Sequence, residues 1–391
     1  MLASGVATSQ TTNSVTSSQT NNGAPPASLT ISIDTVTDGV SGTTTASANA
    51  LNVTFSNADG DLTADQVNNG PVDAHGVLEV TGSMGEASNM TTTAVGNGGT
   101  ATAAYGTLSA FMVQTNYGAA TARGQIEAET ARAGDVAENT MAAGNSQALL
   151  MINGAMGARV TQRNEGDVQA DGGAIIQYVG GTAVVAGTAA GNNIDLTGAN
   201  ASAARIITDQ YNIPNQVAAT QFTAYGNSYL TTTSATASGN NLNAANDGTL
   251  LDVTSQQYNS AYIRAQAEGT SYQFGGAQAT AYGVGNSVMA NNTNGPGLVL
   301  DNLQVNTGGG VEVIASFEGH DGYDAGASAT AIGNAVSGYV CNRCSGSMTV
   351  NNSQSNHVDV GARSTTTVNS GRSVVGVATA TGNTATFWVT N

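Results

Sequence analysis

Two short motifs recur along the chain with a shared period of about 48 residues, and this period constrains the fold more than any other feature. The first motif is Gln-x-Asn, found at Gln19/Asn21, Gln66/Asn68, Gln114/Asn116, Gln162/Asn164, Gln210/Asn212, Gln257/Asn259, Gln304/Asn306 and Gln354/Asn356. The second motif is out of phase with the first and is found at Gly96-Asn97, Gly144-Asn145, Gly191-Asn192, Gly239-Asn240, Gly285-Asn286, Gly333-Asn334 and Gly382-Asn383, with Ala48-Asn49 as a degenerate first copy. Two motifs locked to one period indicate an array of eight repeats.

The repeats define the expected domain organisation. We predict a flexible Ser/Thr/Asn-rich tail over residues 1–18 and a single array over residues 19–391, because no composition shift marks a second domain. An alanine also recurs six residues after the motif asparagine, at Ala27, Ala74, Ala122, Ala170, Ala218, Ala265 and Ala362. The seventh copy carries Glu312 at this position and breaks the pattern.

Short alternating Ala/Thr segments around the motifs predict β-strands, since period-two alternation with β-branched residues is typical of strands. We therefore predict an all-β fold, a right-handed β-solenoid (β-helix) of eight repeats of about 48 residues. Stacked Gln and Asn side chains would form amide ladders at about the 4.8 Å strand spacing. The Ala/Glu-rich segment 125–141 is also predicted to be strand, because it occupies the same phase as strand-like segments in other repeats.

The period leaves the number of turns per repeat open. We favour two rungs of about 24 residues per repeat over three of about 16, which would give a rod of roughly 75–80 Å. The Gly-Asn pairs, like Asn69-Gly70, are expected to mark corners because Gly and Asn tolerate positive φ.

An eight-bladed β-propeller is the alternative fold, because propeller blades contain about 40–50 residues. Blades pack through bulky side chains, however. This chain has 19 aromatic residues (12 Tyr, 6 Phe and 1 Trp) and no recurring aromatic column, so the solenoid is preferred.

The charge of the chain excludes some functions. It contains nine arginines, no lysine and 26 acidic residues, for a formal net charge of −17. A nucleic-acid binder needs clustered basic residues, so that class is excluded and an anionic membrane surface is disfavoured. Residues 1–5 show neither the basic nor the apolar region of a signal peptide. The low charge and the Ser/Thr/Asn richness nevertheless favour an exported protein.

No motif for catalysis, cofactor binding or metal binding is evident. His75, His320 and His357 occupy different phases of the repeat and are expected in surface loops. The oxygen-rich segments 57–61 and 321–324 do not complete a calcium loop and are expected to be solvated turns. We therefore predict no catalytic residue, no metal and no cofactor.

The two cysteines, Cys341 and Cys344, form a CxxC motif in the eighth repeat. A closed zinc site needs four ligands and no second cysteine pair exists, while a redox site would be expected on a thioredoxin-like βαβ unit. The favoured interpretation is a local disulfide that pins an insertion, if the protein is exported.

Several segments resemble known surface proteins. The repeats are loosely similar to curlin-type repeats and more closely resemble the HfaD family of holdfast-anchor proteins of stalked bacteria. The segments that carry this resemblance are Gln221–Asn227, Leu250–Thr254, Tyr262–Glu268, Gly309–Glu312, Ile314–Phe317 and Gly382–Thr386.

This resemblance implies a protein of the outer membrane and cell surface that fastens the holdfast, an adhesive polysaccharide, to the envelope. It also implies export by a curli-type outer-membrane lipoprotein and partnership with other holdfast-anchor proteins. Family members normally carry a signal peptide, which is not evident here. The alternatives are a self-associating curli-like fibre subunit, an ice-binding solenoid and a glycan-processing β-helix. The gaps at Met141 and Tyr282 in the threonine column, and the scattered acidic residues, disfavour the last two.

Overall fold

The computed structural model describes residues 12–200, 203–340 and 345–390. The described residues contain twenty β-strands and no helix. All strand pairings are parallel, and two long sheets result, with no closed barrel. The chain is a β-solenoid, as the repeat predicts. The propeller alternative is wrong, because the blades of that fold are separate four-stranded sheets.

The solenoid has three faces. Eight ten-residue strands form the first face: β1 (Thr12–Asn21), β4 (Asp59–Asn68), β7 (Thr107–Asn116), β10 (Ala155–Asn164), β12 (Ala203–Asn212), β14 (Leu250–Asn259), β16 (Gly297–Asn306) and β18 (Ser347–Asn356). Every one of these strands ends on the asparagine of Gln-x-Asn.

The second and third faces belong to the other sheet. In four coils they are separate strands, namely β2 (Pro26–Thr35) and β3 (Ser41–Ser56), β5 (Val72–Ser83) and β6 (Ala87–Ala104), β8 (Ala120–Ala133) and β9 (Asp135–Ile152), and β19 (Val360–Ser370) and β20 (Ser373–Val389). In the other four coils they are the two halves of one long strand, namely β11 (Val168–Ala199), β13 (Gln216–Asn246), β15 (Tyr262–Asn292) and β17 (Val311–Val340). A bend separates the two faces, and the strand register shifts there between Val179 and Thr182.

Each repeat makes one coil. Gln19 pairs with Gln66, and Gln162 pairs with Gln210, so equivalent residues of successive repeats are direct neighbours. The predicted division into two rungs of about 24 residues per repeat is therefore wrong. Eight coils at the strand spacing rise roughly 35–40 Å, about half the predicted length. The period specifies which residues stack, but not how many turns a repeat makes. Each coil has three faces of 10 to 18 residues, and together they use all of the residues in one repeat.

The core is thin where the inner sides of the second and third faces pack against each other, away from the bend. Alanine columns from both faces pack together there, as with Ala122 and Ala142, which are both buried. Larger side chains fill the wider parts, for example Leu108 and Leu149 between the first and third faces. Burial alternates along the strands, because successive side chains point to opposite sides of a sheet. The segment 125–141 follows this alternation inside β8 and β9, as predicted.

The alanine column differs from the sequence pattern in two coils. Ala170 pairs with Ala219 rather than with the predicted Ala218, and Ala265 pairs with Val313 rather than with Glu312. The preceding corners each take one extra residue. Ala219 and Val313 are fully buried, so the column stays apolar and Glu312 does not interrupt it.

The Gly-Asn pairs are not corners. Gly96-Asn97 lies inside β6, and the equivalent pairs also lie within strands of the third face. Asn57, Tyr105, Asn153 and Asn200 adopt positive φ instead, at the turns that lead from the third face to the next coil. The strand β1 begins at Thr12, within the segment that the sequence assigns to the tail. Cys341 and Cys344 lie outside the described residues, so the disulfide stays a prediction.

Candidate functional site

The residues of Gln-x-Asn form two continuous ladders at the corner between the first and second faces. Each glutamine Nε2 donates to the Oε1 of the preceding coil, as Gln162 does to Gln114 over 2.8 Å. Each asparagine Nδ2 donates to the Oδ1 of the following coil, as Asn116 does to Asn164 over 2.8 Å. The hydrogen bonds of the two ladders therefore point in opposite directions along the solenoid.

All eight copies of the motif take part in these ladders. The bonds in the glutamine ladder measure 2.7–3.0 Å and join Gln19, Gln66, Gln114, Gln162, Gln210, Gln257, Gln304 and Gln354. The bonds in the asparagine ladder measure 2.7–3.0 Å and join Asn21, Asn68, Asn116, Asn164, Asn212, Asn259, Asn306 and Asn356. The inner members of both ladders are buried.

The asparagines of the Gly-Asn pairs form a third ladder, which lies on the third face. Its bonds of 2.7–2.8 Å join Asn49, Asn97, Asn145, Asn192, Asn240, Asn286, Asn334 and Asn383. The second N–H of Asn145 donates to the backbone carbonyl of Arg163 (2.9 Å) on the first face, and Gln162 donates back to the carbonyl of Asn193 (2.9 Å) on the third face. The ladders thus connect the two faces as well as successive coils.

The glycine of each Gly-Asn pair makes room for the corner asparagine. A β-carbon on Gly144 would overlap Asn164 Oδ1 and would lie 2.6 Å from Asn164 Cγ. The same conflict with the asparagine of the next corner arises at Gly96, Gly191, Gly239, Gly285 and Gly333. At Gly382, in the last coil, the nearest such atom is 3.6 Å away. Gly-Asn recurs in step with Gln-x-Asn because the asparagine of Gln-x-Asn occupies the space that a side chain at the glycine would fill.

The substitution Gly144→Ala tests this close approach. We expect it to lower the free energy of unfolding by about 1–3 kcal/mol, because the added carbon has no space in a packed interior. Gly157→Ala is the matched control, since no atom lies within 4 Å of a β-carbon built there. That control is expected to be neutral or slightly stabilising. Urea denaturation of the two variants measures the difference, and equal stabilities would contradict the packing argument.

A buried carboxyl group, which no sequence motif marks, lies between the second and third faces. Glu138 is fully buried and pairs along the sheet with the apolar residues Met90 and Val185. Thr140 donates a hydrogen bond to its Oε1, while Oε2 has no partner among the described residues. Burial raises the pKa of Glu138 to about 8, and the Thr140 hydrogen bond opposes this rise. The carboxyl group is therefore mostly protonated at neutral pH.

The remaining candidate residues do not converge on a reactive centre. No group of three or more His, Cys, Asp or Glu suited to a metal ion occurs among the described residues. His75 and His320 are exposed, but they lie in strands rather than in the predicted loops, and exposed His357 follows β18. In segment 57–61, Asp59 Oδ1 accepts hydrogen bonds from the backbone N–H and the hydroxyl of Thr107, both at 2.8 Å. Asp59 thus joins two coils.

Exposed tyrosines concentrate at the bend between the second and third faces. Tyr178, Tyr229, Tyr272 and Tyr323 lie there, with exposed fractions between 45 and 66 %. They carry no strong repeat signal in the sequence, because they lie on four different coils and only Tyr229 and Tyr323 share a column, with Gly275 between them. Only the stacking of the coils brings them together.

Fold and interior define the class of this protein. It is a parallel β-solenoid whose coils are joined by three buried amide ladders, and its outward strand positions carry residues such as Ser41, Thr43 and Thr45. The family model described as HfaD, holdfast attachment protein D, matches residues 34–310, which is more than half of the chain. The chain therefore belongs to the HfaD family, and the resemblance noted in the sequence is confirmed. No curated protein and no solved structure matches it.

No helix of the described residues is long and apolar enough to cross a membrane.

Proposed function

We propose that this protein is a non-enzymatic anchor that holds the adhesive holdfast polysaccharide on the outer envelope of the cell. Membership of a family described by holdfast attachment carries the proposal. The architecture supports it, because ladder hydrogen bonds and packed alanines make the coil stack stiff, while its outer faces offer hydroxyl and amide groups for contact with a glycan.

The proposed setting is the outer membrane and cell surface, reached through a curli-type outer-membrane lipoprotein. Other holdfast-anchor proteins are the proposed neighbours. A formal net charge of −17 with no lysine argues against a nucleic-acid partner.

A deletion strain tests the anchoring role. We expect cells without the protein to shed holdfast polysaccharide into the medium and to lose surface adhesion, and a plasmid copy to restore both. Cell fractionation with an antibody should find the protein in the outer membrane, and removal of the secretion lipoprotein should deplete it there. A cytoplasmic protein together with intact adhesion would overturn the proposal.

Self-association is the second candidate, and the last coil favours it. Val374, Val375, Val377 and Trp388 of β20 are 46–63 % exposed, and this coil has a strand partner on only one side among the described residues. Exposed apolar strands of this kind pair readily with another chain. Sedimentation velocity at several protein concentrations tests for such assembly, and a concentration-independent monomer would contradict it.

A further inference from the structure

A groove runs along the bend between the second and third faces, across the last five coils. It consists of two adjoining hollows of about 650 and 440 Å³ that share Tyr229, Gly275 and Tyr323. Part of it, including Tyr323 and Arg372, lies beyond the residues matched by the family model. The family match therefore covers only part of the groove.

One wall of the groove is an aromatic row. Tyr229, Gly275 and Tyr323 occupy the same column in three successive coils, because the residues on either side of them pair directly. The two tyrosines are 66 and 62 % exposed and stand two coils apart, at about 9.6 Å. A β-carbon on Gly275 would lie 2.5 Å from the Tyr229 carbonyl oxygen, so this position excludes larger residues and no side chain stands between the two rings.

A polar row runs beside the aromatic one. Asn227, Gln273, Asp321 and Ser370 pair in succession, so one polar side chain follows another at each coil. The side-chain amides of Asn227 and Gln273 make no hydrogen bond within the described part of the chain, whereas Asp321 pairs with His320 over 2.9 Å. Amide and carboxylate groups are planar and offer two adjacent polar atoms, which suits neighbouring hydroxyl groups.

One ring of the aromatic row, Tyr323, lies against a charged pair. The Arg372 guanidinium lies over the Tyr323 ring at 5.7 Å from its centre and forms an ion pair with Asp324. The hydrogen bond from Arg372 lowers the pKa of the Asp324 carboxyl, which keeps that pair charged. Beneath the groove, Phe274 packs edge-on against Phe317 with ring centres 5.1 Å apart. A ring that is already positioned in this way loses less conformational entropy on binding.

We propose that this groove binds an extended glycan chain whose sugars carry no negative charge, an inference that rests on the proposed function. Sugar rings have apolar faces that pack on tyrosine, and hydroxyl rims that bond to amides and carboxylates. Alternating sugars of an extended chain would meet Tyr229 and Tyr323, while their hydroxyl groups meet the polar row. The net charge of −17 repels a polyanion, and the one arginine that lines the groove, Arg372, is already paired with Asp324.

The test uses the full chain and holdfast polysaccharide released by a strain that lacks this protein. The polysaccharide is immobilised and binding is measured by biolayer interferometry. We expect the double variant Tyr229→Ala/Tyr323→Ala to bind at least tenfold more weakly than the wild type. Both rings are exposed, so the melting temperature should be unchanged. Tyr117→Ala/Tyr211→Ala is the matched control, since these exposed tyrosines lie away from the groove, and it should bind like the wild type.

The outcomes distinguish a failure of the groove assignment from a failure of the proposed function. Equal binding by the wild type and the groove variant overturns the groove assignment and leaves the anchoring role intact. No binding by the wild type overturns the polysaccharide contact in the proposed function, and the groove assignment with it. Binding that strengthens as NaCl rises from about 50 to about 500 mM contradicts the uncharged ligand, because salt screens repulsion between like charges.

Discussion

Asn164→Asp is expected to lower the free energy of unfolding by about 3–5 kcal/mol at neutral pH, because it places an unpaired charge in a buried ladder. Asn164 is fully buried. Its Oδ1 accepts from Asn116, and its Nδ2 donates to Asn212 Oδ1 and to the carbonyl of Gly166, both at 3.0 Å. A carboxylate keeps the first contact but sets an anionic oxygen against the two acceptors that the amide satisfied.

Urea denaturation measures this loss, and pH distinguishes its cause. At pH 4 the introduced carboxyl group is largely protonated, so it can donate one hydrogen bond and the defect should shrink. Asn89→Asp is the control, because Asn89 is exposed on β6 and its strand neighbours Ser41 and Ala137 are uncharged. That variant should stay close to the wild type at both pH values. An unchanged stability of the Asn164 variant would mean that the ladder is not energetically important at this coil.

The second large effect is a loss of stability as the pH rises from about 4.5 to about 8. The pKa of Glu138 is about 8 in the folded chain, against a reference value of 4.5. Within that window the folded state holds a proton that the unfolded state releases, so unfolding is favoured as the pH increases. Since each pH unit corresponds to 1.36 kcal/mol, the full loss over this window is on the order of 5 kcal/mol, and the contribution of Glu138 to stability is greatest below pH 4.5.

Glu138→Gln isolates this effect. Glutamine keeps the shape and an acceptor for Thr140, but it does not ionise, so the variant should be more stable than the wild type at pH 8 and less dependent on pH. Glu127→Gln is the control, because Glu127 is exposed on β8, and it should retain the wild-type pH dependence. Denaturation series at pH 5 and pH 8 give the comparison. Identical slopes for the wild type and Glu138→Gln would show that Glu138 is ionised in the folded chain.

The tyrosine pair of the groove and the buried Glu138 could not be predicted from the sequence of a single repeat. Tyr229 and Tyr323 stand on different coils with Gly275 between them, so neither motif nor spacing marks them as a pair. Glu138 reads as one of several acidic residues in an Ala/Glu-rich segment. Its burial follows from its position opposite the second face, where Gly76, Gly124 and Gly172 stack in a column. These glycines leave space for the side chains of Glu138 and Thr140.

The sequence by itself determined the class of fold and the members of the ladders. A side chain that recurs at one phase can bond to its own copies only if the copies stack in parallel, so the phase of Gln-x-Asn and Gly-Asn specifies parallel strands and the residues that meet. The tertiary structure alone decided how each repeat is wound. One coil takes up the whole 48-residue period, and Gly-Asn lies inside a strand rather than at a corner. Ala219 and Val313 complete the apolar column because each extra residue is accommodated in the corner, and the strand that follows keeps its pairing with the neighbouring coil. Strand register and burial depend on contacts between coils, and the spacing of motifs along the sequence does not specify those contacts.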